Sequence, residues 1–134
     1  MIYKSYGKIK YDPISERSTF KPHWVILQCD REIVRYYQHV FYTLYFKKMQ
    51  TAVWSSHVSI LRGEKPNKPE NWKLYNGRTI EFEYEFNGAA GFNTNGKHFW
   101  LKCRSPEFGK IRESLGLNPI PKIDFHLSIG SISL

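Results

Sequence analysis

Apolar positions along this 134-residue chain change their period several times, and each change marks an element. Residues 24–29, Trp-Val-Ile-Leu-Gln-Cys, form a continuous apolar run of the length and β-branched character of a buried strand. From 31 to about 48, Ile33, Tyr37, Val40, Phe41 and Leu44 recur at three- and four-residue steps, which predicts an amphipathic helix packed on a sheet, with Asp30 placed to cap it. Residues 56–61 read as a second strand. Residues 78–86 alternate acidic and apolar side chains, the pattern of a strand with one wet face. The glycine-bearing stretch 88–96 is a turn, and 98–104 is another strand. Residues 106–115 form a short helix with Pro106 at its start and Gly116 after its end, and 123–129 form the last strand. The polar stretch 13–22 reads as a loop, as does 62–69, where two prolines and a glycine forbid regular structure. The two halves therefore share a plan, a helix followed by a strand, within one domain spanning 1–134.

Two of these strands carry the same pattern. His57-Val58-Ser59 lies in SSHVSIL and His126-Leu127-Ser128 in DFHLSIG. Side chains at i and i+2 leave a strand on one face, so each His shares a surface with its Ser, while Val58, Ile60, Leu127 and Ile129 point into a core. A lone His in an apolar strand is ordinarily a satisfied core residue. Two of them with matched hydroxyls, on strands lying side by side, would instead gather the groups that move two protons around a phosphate. His23 and His98 lack a hydroxyl at i+2 and His39 lies in the predicted helix, so these three are expected to be structural or peripheral.

Composition sharpens this picture in one respect. The formal net charge of +8, from 20 Lys and Arg against 12 Asp and Glu, favours phosphate-bearing partners. Aromatic residues make up 16% of the chain, enough to fill the core and leave some for stacking on bases. No apolar run approaches the roughly 20 residues that cross a bilayer, and the opening MIYKSYGKIKYD lacks the apolar stretch of a secretory signal. The expectation is a soluble cytoplasmic protein with no membrane association and no obligatory protein partner. Cys29 and Cys103 have no ligand-like spacing and are expected to be buried free thiols rather than a disulfide or a zinc site.

On HVSILRGEKP and FHLSIG, with a helix ahead of each motif strand, the chain resembles the 2H (two-histidine) phosphoesterase superfamily. That superfamily often has Thr where Ser59 and Ser128 stand, a change that keeps the hydroxyl. The resemblance implies an α+β, bilobal (LigT-like) fold of two antiparallel-sheet/helix lobes around a central cleft, and a phosphodiesterase needing no metal or other cofactor. The small size, the Trp-Ser-Ser-His-Val-Ser approach and the loop RGEKPNKPENW look most like phage anti-CBASS enzymes, which degrade cyclic oligonucleotide alarm signals in the cytoplasm of an infected bacterium. The implied ligand is a cyclic di- or trinucleotide with 3′–5′ linkages. The other readings are a 2′,3′-cyclic phosphodiesterase acting on RNA ends or small cyclic phosphates, a sponge that sequesters the signal uncut, and a non-catalytic nucleic-acid-binding module.

In the enzyme reading one of His57 and His126 deprotonates the attacking oxygen and the other protonates the leaving oxygen, with the sequence leaving the assignment open. Ser59 and Ser128 hold the non-bridging phosphate oxygens. Trp54, Trp72 and Tyr75 flank the first motif and its loop and are candidates to stack on bases. Tyr6 and Lys8 join the site if the opening forms a strand beside a motif strand. Arg62 is the leading candidate to gather the polyanion, ahead of Lys65 and Lys68, which belong to an ordinary hydrated basic loop on the plainer reading.

Overall fold

A computed structural model describes residues 1–13, 23–51, 56–87 and 91–133. These residues form seven strands, β1 (Ile2–Tyr11), β2 (Trp24–Gln28), β3 (His57–Arg62), β4 (Thr79–Glu85), β5 (Asn93–Thr94), β6 (His98–Arg104) and β7 (His126–Ser131), with two α-helices, α1 (Arg31–Tyr45) and α2 (Pro106–Ser114), and a single 3-10 turn at Pro69–Asn71. The strands run in the order β4-β1-β2-β3-β7-β6-β5, every pairing antiparallel.

The expected bilobal α+β arrangement is not what forms. β4 pairs with β1 on one side and with β6 on the other, through Glu83–Arg104, Tyr84–Cys103 and Glu85–Lys102, so six strands close into a small barrel with β5 outside it. The element that makes closure possible is β1. Its ten residues pair with β2 along one edge and with β4 along the other, joining what the sequence plan treats as separate halves. Its alternation is easily missed, because one of its inward positions, Gly7, has no side chain. A Cβ there would lie 2.7 Å from the Leu27 side chain and from the Gln28 carbonyl, so glycine is what lets β1 approach β2.

Alternation then sorts the barrel into two faces. Ile9, Val25, Leu27, Val58, Ile60, Phe82, Leu101, Leu127 and Ile129 are buried on the inner face. Lys8, Lys10, Glu81, Lys102 and Ser128 leave the strands on the other. Both helices add to the one core: α1 sets Tyr37 and Phe41 against Phe86 and Phe99, at ring separations of 4.9 and 4.8 Å, and α2 sets Phe108 against Phe125 at 4.8 Å. Asp30 caps α1 by accepting from the Glu32 amide at 2.9 Å, and Ser105 caps α2 with Pro106 in its first turn. α1 ends at Tyr45, short of the expected 48, because Phe46 takes the left-handed conformation that stops it. β7 begins at His126 rather than 123.

Beyond Phe46 the chain returns to the barrel, where Gln50 and Ser131 exchange backbone hydrogen bonds of 2.7 and 3.0 Å. That crossing lies so close to Gly130 that an added Cβ would meet the Gln50 carbonyl at 2.6 Å. Cys29 and Cys103 are buried and free, as expected, and burial pushes both thiols up, Cys103 to about 12. Among the described residues no helix is long and apolar enough to cross a membrane.

Candidate active site

The two motif strands are neighbours. β3 and β7 pair antiparallel through Val58 and Leu127, the central residues of the two tripeptides. That register sets His57 across from Ser128 and Ser59 across from His126, all four on the face away from the core. The two histidines are thus diagonal neighbours, about 7–8 Å apart at the backbone, a separation that admits a phosphate between two imidazoles.

Trp24 on β2 organises the first motif. Its side chain is 4% exposed; the indole Nε1–H donates to Ser59 Oγ at 3.1 Å, and the ring meets the His57 imidazole edge-on at 5.7 Å. The Arg62 guanidinium lies over the same indole, 5.0 Å from its centroid. Because Trp24 fills an acceptor position on Ser59, the hydroxyl hydrogen is left to be donated elsewhere.

The loop after β3 is fastened from below by Arg112 of α2, 2% exposed. Its guanidinium donates to both Glu64 carboxylate oxygens at 2.8 Å, to the Ile60 carbonyl at 3.0 Å and to the Asn118 carbonyl at 2.7 Å. Hydrogen bonding from Arg112 holds the Glu64 carboxyl below its ordinary value against the opposing effect of burial. The amides of Asn67 and Lys68 both donate to the Leu115 carbonyl, so loop and helix end form one unit.

The second motif is more open. His126 Nδ1 lies 2.9 Å from the Asp124 carbonyl, which can only accept, so Nδ1 carries a proton and Nε2 is the acceptor of the neutral ring. Trp100, opposite Ser128 on β6, stands 6.0 Å from the His126 ring. These residues border a cavity of about 650 Å³ whose lining also includes Gln50, His98 and Ile123.

The predicted substrate-binding residues fare differently. Trp54 lies outside the described residues. Lys8 pairs with Gln28, which pairs with His57, so it stands two strand spacings, about 10 Å, from the histidine. It is exposed. Tyr6 lies beside β4, donating to Glu81 at 3.0 Å, and that bond to a carboxylate raises its hydroxyl's pKa. Trp72 packs edge-on against Tyr11 at 5.1 Å and donates to Asp12 at 3.0 Å, while Tyr75 takes the Arg78 guanidinium over its ring at 4.8 Å. Neither lines the cavity beside His126. Lys65 and Lys68 are exposed loop residues.

Sequence reasoning passed over Trp24 and Trp100 as site residues. Nothing local links Trp24 to Ser59, since only the β2–β3 register joins them. His98 and Trp100 were legible, because they alternate with Phe99 and Leu101 on a strand and so share its wet face, where they line the cavity. Among the described residues no group of three His, Cys, Asp or Glu side chains is arranged to hold a metal ion. No protein-family model, curated protein or solved structure matches the chain.

Proposed function

We propose that this protein is a phosphodiesterase in which His57 and His126 exchange acid and base duties over one phosphate, without a metal or cofactor. The observation that carries the reading is the antiparallel pairing of the two His-x-Ser tripeptides about Val58 and Leu127, which brings both imidazoles and both hydroxyls to one surface. The barrel differs from the bilobal fold that the 2H phosphoesterase resemblance implies, so the proposal rests on the motif geometry. The substrate class, a cyclic di- or trinucleotide as in phage counter-defence, comes from the resemblance of the motifs and their flanks.

His126 suits the base, because its Nδ1 is committed to the Asp124 carbonyl and its Nε2 lone pair accepts. In the proposed step Nε2 takes the proton of an attacking ribose 2′-OH or water, the new oxygen–phosphorus bond forms, and the bond to the departing 5′-oxygen breaks. That oxygen takes a proton from His57. Ser59 and Ser128 donate to the non-bridging oxygens and stabilise the charge that builds there.

The test incubates purified protein with cyclic di- and trinucleotides and with nucleoside 2′,3′-cyclic phosphates, in EDTA, and follows products by chromatography. Opening of the cyclic oligonucleotides supports the reading. Turnover of 2′,3′-cyclic phosphates alone moves the substrate class to RNA ends, loss of all turnover in EDTA sinks the metal-free mechanism, and bound but intact ligand makes the protein a sponge.

A further inference from the structure

The cavity beside β7 is far larger than a phosphate requires. Its volume, about 650 Å³, falls within the range of sites that enclose whole small molecules. Its walls combine polar and apolar groups. His126 and Ser128, the proposed phosphate groups, are among the lining residues. The Trp100 indole, opposite Ser128 and 6.0 Å from the His126 ring, forms the adjoining wall, and the lining also includes Ile123, an apolar side chain left 74% exposed. Asp124, the acidic residue of the lining, has its carboxylate 3.7 Å from Lys102 Nζ, so its charge is balanced locally. A ligand suited to this lining is anionic where it meets His126 and Ser128 and planar and apolar-faced where it meets Trp100.

We propose that this cavity is a nucleobase pocket, in which the base attached to the reacting ribose phosphate stacks on Trp100 with Ile123 on its border. The proposal rests on the phosphodiesterase reading for the position of the phosphate. It moves base recognition away from Trp72 and Tyr75, whose rings are engaged by Tyr11 and Arg78, to a strand on the other side of the motif pair.

Equilibrium binding of adenosine 3′-monophosphate and of ribose 5-phosphate to the full chain tests it. Stacking should make the nucleotide bind roughly tenfold or more tightly than the sugar phosphate. Trp100→Leu should bring that ratio close to one, and Trp100→Tyr, which restores an aromatic face, should recover most of it. Should Trp100→Leu fail to fold, Ile123→Ser serves in its place: this exposed position tolerates the change, and loss of the apolar border without added charge should weaken the nucleotide a few-fold and the sugar phosphate far less. A wild-type ratio near one, or a ratio indifferent to both substitutions, overturns the pocket. Base preference without turnover of any phosphodiester would overturn the catalytic reading and leave the pocket standing; turnover without base preference would overturn the pocket alone.

Discussion

His57 and His126 stand diagonally across one strand pair, yet β3 and β7 give them different surroundings. Around His57 the side chains are fixed: Trp24 lies edge-on to its ring and donates to Ser59, Arg62 covers the indole, and Arg112 ties the following loop to α2. Among the described residues, His126 has a backbone carbonyl at Nδ1 and a tilted indole beside its ring, which borders a cavity. The same tripeptide thus occurs once in a braced site and once at a cavity wall. The difference suits a division of labour, the braced side orienting the phosphate and the open side admitting the rest of the ligand.

Substitution of either histidine tests the shared part of this comparison and should have the largest effect. His57→Ala and His126→Ala should each lower turnover by about 10²–10⁴-fold, the usual contribution of one positioned acid or base. Retained nucleotide binding would show that the chemistry and not the fold was lost. A variant that keeps full turnover would remove its histidine from the mechanism and break the symmetry of the pair.

Arg112→Met asks how far the braced side depends on the guanidinium beneath it. Removing a buried cation leaves Glu64 and two carbonyls short of donors, at a cost of about 3 kcal/mol in stability by urea denaturation. The same pair predicts an acid response. The folded Glu64 carboxyl lies below its ordinary value of 4.5, chiefly through its bond from Arg112. Its contribution is therefore complete above that value and is lost as pH falls through the lower folded one. Denaturation midpoints measured from pH 6 downward should fall in wild type below about pH 4.5, and fall less in Arg112→Met.

Gly130→Ala makes the matching test on the open side. The added methyl would meet the Gln50 carbonyl at 2.6 Å, so the 49–51 crossing must shift, at a cost of about 1–3 kcal/mol. Because Gln50 and Gly130 both line the cavity, nucleotide affinity should fall along with stability. Unchanged affinity would mean that this wall does not shape the site.

These contrasts were only partly legible in the sequence. Periodicity located most strands and both helices, and the i, i+2 rule put each His with its Ser on the polar face, because both are local consequences of backbone geometry. Closure was not legible. It depends on β4 pairing with both β1 and β6, a choice among strand edges that no local pattern encodes, and the glycine of β1 weakened its alternation further. The pairing of β3 with β7 was a condition of the functional reading, and it forms. The Trp24–Ser59 bond escaped for the same reason as closure, since 35 positions separate its partners.

Trp24→Phe isolates that bond and should give the smallest effect. Phenylalanine keeps a ring against His57 and a surface under Arg62 but removes the N–H, so Ser59 loses one donor while much of the packing remains. The stability cost should be about 1 kcal/mol, the net worth of a typical hydrogen bond. Freed from Trp24, the Ser59 hydroxyl can rotate, and its hydrogen is no longer directed toward the phosphate. Turnover should therefore fall less than tenfold with KM nearly unchanged, and Ser59→Ala in the Trp24→Phe background should cost less than it does alone. Ser128 lies on β7, two strands from Trp24, and the cost of Ser128→Ala should be the same in both backgrounds. If the two serines respond alike, the bracing of the first motif has no bearing on catalysis, and the contrast between β3 and β7 is one of packing only.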